Sequence, residues 1–209
     1  MQMLLLFGLL LLNFGISWFN AYSVGRSWAD SKAIGGWPRF ITWCAAIMSA
    51  AGFTWCYLIV LAMIAGATGL LAPQYVQAAL EVSYVIIILP VLGSGFGIWI
   101  DSFTTAWRRR DAVSIGIAGW NTFAQVHNTY EAVSALPDIF KHLGDIFEGG
   151  GNDDAKGKAL LLVLLLVLLA LCGGVFTTVA IVRTTARKYA HGVLGKMGSA
   201  RGRLARERA

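Results

Sequence analysis

The chain has 209 residues, of which 57% are hydrophobic and 13% charged, with a formal net charge of +6. A water-soluble domain lacks the polar surface to cover so apolar a composition, so an ordinary soluble protein is excluded. The sequence instead predicts one membrane domain over residues 1–190 and an all-α fold, a helical bundle of transmembrane helices.

Five stretches of the chain lack Asp, Glu, Lys and Arg, and each reaches or nearly reaches the ~20 residues that cross a bilayer as a helix. They predict five spans, at about residues 3–24, 40–65, 75–100, 112–132 and 159–182. A bundle of four spans with one interfacial helix is the alternative.

The first predicted span opens the chain and meets its first basic residue at Arg26. A signal peptide has a basic segment before its apolar core, so we expect an uncleaved anchor with its N-terminus outside. Ala21-Tyr22-Ser23 is similar to a cleavage site, and a cleaved leader is the alternative. Arg26, Lys32 and Arg39 follow the span, and such an excess predicts the cytoplasmic side.

The second span is predicted to turn outside the cell, and the third returns to Arg108, Arg109 and Arg110. This triple arginine predicts the cytoplasmic side and contact with lipid headgroups. Glu81 is the one charged residue between Phe40 and Ile100. A carboxylate within a span is a candidate for an ion or proton path, and snorkelling or helix pairing is the alternative.

Pro90 lies in the middle of the third span, followed by Gly93 and Gly97. Proline removes a backbone hydrogen bond, so this segment is a candidate hinge. The two glycines form a GxxxG pair that also favours close helix packing, which we expect to be the main role. The second span offers a face of small residues for that contact, formed by Ala46, Ser49 and Ala50.

The fourth stretch is the most polar of the five. It carries candidates for an ion or proton path at Asn121, Gln125, His127 and Asn128. The basic residues before and after it both indicate the cytoplasm, which requires an even number of crossings between them. The stretch is therefore predicted to cross, although an amphipathic helix could also lie flat at the interface.

Residues 131–158 form a predicted acidic loop in which acids outnumber lysines, as expected outside the cell. Within it, Ile139, Leu143 and Ile146 recur at helical spacing after Pro137 and predict a short amphipathic helix. We expect this helix to rest on the membrane surface or on the bundle, and a docking face for a partner is the alternative.

The last predicted span is followed by Arg183, Arg187 and Lys188, which are expected to contact lipid headgroups. Residues 191–209 form a basic tail expected in the cytoplasm. Lipid is favoured over nucleic acid as its partner because aromatic residues are nearly absent from the tail and the chain has no nucleic-acid-binding fold.

The chain has no GxGxxG, P-loop, GxSxG, HExxH or CxxC motif, so we expect no enzyme and no cofactor. His127 and Glu131 lie four residues apart, but two ligands are too few for a tetrahedral metal site, so no metal is expected. The three cysteines all fall in apolar stretches and are expected to pack as small hydrophobic residues.

These observations predict a non-enzymatic membrane subunit that packs with copies of itself or with other membrane proteins. The alternative is a pore or ion channel, including a holin-like pore, with the polar fourth helix lining the path. The positive-inside pattern and short loops favour a bacterial inner membrane, with the N-terminus outside and the C-terminus cytoplasmic. The expected partners are membrane lipids and membrane proteins.

Overall fold

A computed structural model describes the backbone of residues 2–148 and 153–206, and the side chains of residues 4–146 and 157–189. This part of the chain contains five helices and no strand, which confirms the predicted all-α bundle. The helices are α1 Gln2–Ile34, α2 Gly36–Ala67, α3 Pro73–Arg109, α4 Ala112–Glu148 and α5 Asp153–Arg206.

Four helices of the described part contain segments long and apolar enough to cross a bilayer. These segments are Leu4–Ile34, Gly36–Ala67, Pro73–Arg109 and Gly157–Tyr189. The protein is therefore a multi-pass membrane protein. Helix α4 is long enough but too polar to meet the same criterion, so its crossing stays a prediction.

The fourth stretch and most of the acidic loop lie on one longer helix. The sequence predicts a span at residues 112–132 and a short amphipathic helix after Pro137, whereas α4 is continuous from Ala112 to Glu148; the limits of the span stay a prediction. Pro137 lies inside it: the proline ring fixes φ at about −65°, a helical value, while the missing N–H removes one hydrogen bond of the helix. Residues 149–152 of the predicted loop lie outside the described residues.

Short turns with left-handed backbone conformations separate the first four helices. Gly35 and Gly36 have φ of 69° and 54°, and Gly69 has φ of 69° in the turn before α3. Only glycine adopts this region without a steric cost from Cβ, so these residues set the sharp reversals. Pro73 then occupies the first turn of α3, where its missing N–H has no helical partner to lose.

Helix α2 is the centre of the bundle and packs against α1, α3 and α5. Helix α3 also contacts α5, whereas α4 contacts α3 alone among the helices in the described part of the chain. Helices α1, α2 and α5 all pack on one another, and we call them the α1–α2–α5 core. We call the other two helices the α3–α4 hairpin. One buried cluster of the core is formed by Ala21, Val24, Phe53 and Val182.

Close backbone approach holds the α1–α2–α5 core together. Gly174 of α5 lies directly against Thr54 and the Ala50 carbonyl of α2, which a Cβ would approach to 2.7 Å. The buried Ser49 hydroxyl donates to the Ser17 carbonyl at 2.8 Å and lies 3.2 Å from the Thr178 hydroxyl. Small residues therefore bring the backbones together, as expected for helices in lipid.

The small-residue face of α2 thus contacts α1 and α5, whereas the sequence predicted that it would contact the third span. The residue of α3 that packs closely on α2 is Gly97, where a Cβ would lie 2.9 Å from the Phe40 ring and 3.0 Å from Cys44 Sγ. Gly93 has no neighbouring atom within 4 Å of such a Cβ. Only one member of the GxxxG pair therefore makes a close helix contact.

Candidate functional site

Helices α3 and α4 are antiparallel and pack along their whole lengths. Three side-chain contacts define the register: Trp99 to Thr122 at 2.9 Å, Gln125 to the Leu92 carbonyl at 3.2 Å, and His142 to Glu81 at 2.7 Å. Because the register is continuous, each position on α4 has a known level on α3. Residues of α4 can therefore be placed in depth against the apolar part of α3.

Residues 82–100 of α3 carry no charge, and a helix of that length spans roughly 29 Å. This matches the ~30 Å hydrocarbon core of a bilayer. Glu81 and Asp101 thus lie at its two limits. The register places about residues 121–141 of α4 at the same depth, so half of the predicted span at residues 112–132 extends beyond it.

Glu81 is engaged in contacts that join the two helices of the hairpin. Its Oε2 atom lies 2.7 Å from His142 Nδ1, and Gln77 donates to its Oε1 atom at 2.9 Å. The Glu81 side chain is 14% exposed. These contacts agree with the helix-pairing alternative for Glu81 and separate it from the other candidates for an ion path.

Indole and guanidinium groups lie at the other end of the charge-free segment of α3, near Asp101. Trp37 donates from Nε1 to Asp101 at 2.7 Å, joining α2 to α3. The Arg39 guanidinium lies 3.9 Å from the centre of the Trp28 ring and donates to the Trp28 carbonyl at 3.4 Å, joining α2 to α1. Tryptophan and arginine are typical of a membrane–water interface, so this layer is one edge of the membrane region.

The residues predicted to contact lipid headgroups all lie at this same end of the bundle. Arg108, Arg109 and Arg110 are exposed at the end of α3, and Arg183, Arg187 and Lys188 are exposed on α5. We call this the basic end. The basic side chains of the tail at residues 191–209 lie outside the described residues, although the helical backbone continues to Arg206.

Three of the polar residues predicted to line a path lie on the inner side of α4. Asn121, Gln125 and Asn128 are half-buried and share a stripe that faces α3. The Gln125 amide donates to the Leu92 carbonyl and contacts Gly95, where a side chain would collide with it. Gln125 is therefore part of the packing between helices, whereas Asn128 lines a cavity shared with α1, α2 and α3.

His127 and Glu131 lie on the opposite side of α4, and both are exposed. The His127 ring stacks on Phe123, with ring centres 6.0 Å apart. Glu131 is six residues beyond Gln125, about 9 Å further along α4, and so lies near the middle of the charge-free depth. We call this surface the outer α4 face, formed by Val126, His127, Tyr130, Glu131 and Ser134.

In the sequence, Glu131 lies at the boundary between the predicted span at residues 112–132 and the acidic loop at residues 131–158, and it was not among the candidates for a path. The spacing of four between His127 and Glu131 was the available signal, since it places both on one helix face. Among the described residues, no group of three or more His, Cys, Asp or Glu side chains is arranged to hold a metal ion.

The predicted hinge is not expressed as a break in this structure. Pro90 is exposed, and α3 is helical on both sides of it.

The start of α4 is defined by a local cap: Asp111 accepts hydrogen bonds from the Ser114 hydroxyl at 2.6 Å and the Ser114 N–H at 2.9 Å. These hydrogen bonds hold the pKa of Asp111 below its usual value, and the bond from the Ser114 hydroxyl has the larger effect.

The outer α4 face and the hydrogen-bonded α3–α4 contact are thus the candidate functional features. No protein-family model, no curated protein and no solved structure matches this chain.

Proposed function

We propose that this protein is a non-enzymatic membrane subunit that assembles with copies of itself or with other membrane proteins through the outer α4 face. The observation that supports this most directly is the exposure of Glu131 near the middle of the charge-free depth. A carboxylate facing hydrocarbon costs a few kcal/mol or more, so its surface needs a polar or protein neighbour.

The packing of α4 points to the same conclusion. Helix α4 contacts α3 alone, so most of its circumference is uncovered. Next to Glu131, the outer α4 face carries the exposed apolar side chains Val126 and Tyr130. A surface of mixed polar and large apolar residues is typical of protein interfaces, where a partner covers both kinds of group.

We further propose an orientation with the N-terminus outside and the C-terminus in the cytoplasm, in a bacterial inner membrane. Arg26, Arg39, Arg110 and Arg183 all lie at the basic end, and an excess of Lys and Arg is typical of the cytoplasmic side. With α4 antiparallel to α3, the acidic residues near Asp145 lie at the other end. This arrangement corresponds to five crossings.

Cross-linking in native membranes tests the assembly. We would replace the exposed Cys172 by Ser, introduce Ser134→Cys on the outer α4 face, and treat membranes with a short bismaleimide. Leu9→Cys on the exposed surface of α1 is the matched control. We expect covalent dimers or partner adducts from Ser134→Cys and few from Leu9→Cys. Equal or absent adducts at the two positions would contradict the proposal.

An ion pathway is the second candidate, supported specifically by His127 and Glu131 facing outward on one side of α4. In an oligomer with these faces turned to a common axis, Glu131 would line water at membrane mid-depth. This differs from the pore predicted from sequence, because Asn121, Gln125 and Asn128 face α3.

Flux measurements distinguish the two candidates. Purified protein in liposomes is expected to be silent in proton and potassium flux if it only assembles. Flux that falls on changing Glu131→Gln, but not on changing the exposed Asp145→Asn, would establish the ion pathway and remove the purely structural role.

A further inference from the structure

A second polar feature is a cavity of about 350 Å³ lined by residues of α1, α2, α3 and α4. Its polar side chains are Asn13, Ser17 and Asn20 from α1, Trp55 from α2, Tyr84 from α3 and Asn128 from α4. No residue with a formal charge lines it. The cavity thus collects uncharged hydrogen-bonding groups from four helices.

Several of these groups have no protein partner. The Tyr84 hydroxyl is buried and makes no hydrogen bond. Among the described residues, it is the one buried side-chain polar atom without a hydrogen-bond partner. The side-chain amides of Asn20 and Asn128 have no hydrogen bond to any described residue. By contrast, Asn13 donates to the Gly52 carbonyl at 3.2 Å.

The depth of the cavity makes these unpaired groups costly. Tyr84 is one helical turn inside Glu81, and Asn128 is one turn beyond Gln125, so both lie within the charge-free depth. Polar groups there have no bulk water to bind, and an unmade hydrogen bond is expensive. A cavity that gathers such groups therefore favours an occupant that hydrogen-bonds to them.

Access to the cavity is from the side. The backbone of α1 contacts neither α3 nor α4, which leaves a gap between α1 and α3 at this depth. The remaining lining is largely apolar and includes Ile87, Ile88 and Val91. An occupant therefore reaches the site through lipid and needs an apolar body as well as polar atoms.

We propose that this cavity binds the hydroxyl- and carbonyl-bearing end of a neutral lipid that enters sideways from the bilayer. The carboxamides of Asn20 and Asn128 both donate and accept, and the Tyr84 hydroxyl supplies a further donor. A charged headgroup finds no counter-charge in the lining. The volume lies within the ~300–1,000 Å³ range of small-molecule sites.

Photolabelling of the full chain tests this site. Two probes with the same diazirine-bearing acyl chain, a neutral diacylglycerol and an anionic phosphatidylglycerol, are added to protein in phosphatidylcholine nanodiscs. We expect the diacylglycerol to label peptides of α1 and α3 that line the cavity in preference to the phosphatidylglycerol. Tyr84→Phe and Asn20→Leu should each lower this labelling about fivefold, the effect of losing one hydrogen bond.

Tyr75→Phe is the matched control, since Tyr75 lies on the same helix, packs beside a different cluster and does not line this cavity. Its labelling should equal that of the unchanged protein. The thermal unfolding temperature of each variant shows that it is folded, and Asn20→Leu provides the test if Tyr84→Phe fails to fold. Equal labelling by the two probes, labelling that neither cavity variant changes, or no labelling above the lipid background would overturn the proposal.

Discussion

The α1–α2–α5 core and the α3–α4 hairpin are held together by different kinds of contact. In the core, Gly174 and Ser49 bring backbones into direct contact, and hydroxyl groups bond across the helices. In the hairpin, long side chains such as Gln125 and His142 reach across to their partners. The core therefore combines direct backbone contact with short hydroxyl bonds, whereas the hairpin is joined by longer polar side chains.

This difference has a functional consequence. Close packing leaves no room for a side chain at Gly174, and the Ser49 hydroxyl is paired within the core. The hairpin instead leaves polar groups unused, most clearly at Glu131 and in the cavity beside Tyr84. We therefore expect structural variants to act through the core and functional variants through the hairpin.

The largest effect on stability is expected from Gly174→Ala. The added Cβ would meet Thr54 and the Ala50 carbonyl, and helix backbone cannot move away as a side chain can. The free energy of unfolding should fall by about 1–3 kcal/mol. Gly119→Ala on α4 is the control, because a Cβ there meets nothing within 4 Å. Thermal unfolding in detergent measures both, and equal unfolding temperatures would contradict the close-packed core.

A smaller loss is expected from Ser49→Ala, which removes the hydroxyl bonded to the Ser17 carbonyl and adjacent to Thr178. The expected cost is about 1 kcal/mol, the usual value of one hydrogen bond within a protein. Ser134→Ala is the matched control, since that exposed hydroxyl bonds only within its own helix. If both variants unfold alike, the inter-helix bond contributes nothing to the core.

The contact between Glu81 and His142 should contribute less. A double-mutant cycle with Glu81→Gln and His142→Asn is expected to give a coupling below about 1 kcal/mol, because His142 is 34% exposed and water weakens the interaction. Unfolding in detergent measures the cycle, with Lys141→Gln as a neighbouring control. A much larger coupling would show that the hairpin resembles the core in how tightly its polar groups are held.

The smallest effect is expected at the exposed cap of α4. Asp111→Ala should speed hydrogen exchange at the first amides of α4 without changing global unfolding. The pKa of Asp111 is lowered in the folded protein. The stability that its carboxylate contributes to the start of α4 is therefore present above the pKa of the unfolded chain and is lost as pH falls through the pKa of the folded protein. Exchange at Ser114 should therefore become faster at low pH in the unchanged protein only, after correction for intrinsic rates.

Much of the fold could be predicted because it depends on local chemistry. Apolar length predicted the four helices that meet the criteria for crossing, and Gly69 lies in the turn predicted between the second and third spans. The candidate site was harder to predict from the sequence. His127 and Gln125 were grouped as path residues, yet they lie on opposite sides of α4, because which side of the helix packs on α3 depends on contacts distant in sequence.

Hydropathy and helix length act residue by residue and need no partner, so the all-α membrane fold follows from the chain itself. The positions of its arginines and lysines also predicted which residues gather at the basic end. The packing of helices was needed to show that α2 places its small face on α1 and α5, that Glu81 pairs with His142, and that Glu131 is exposed on the side of α4 away from α3. Those outcomes depend on the register and rotation of packed helices, which complementary shapes and hydrogen bonds between distant segments select.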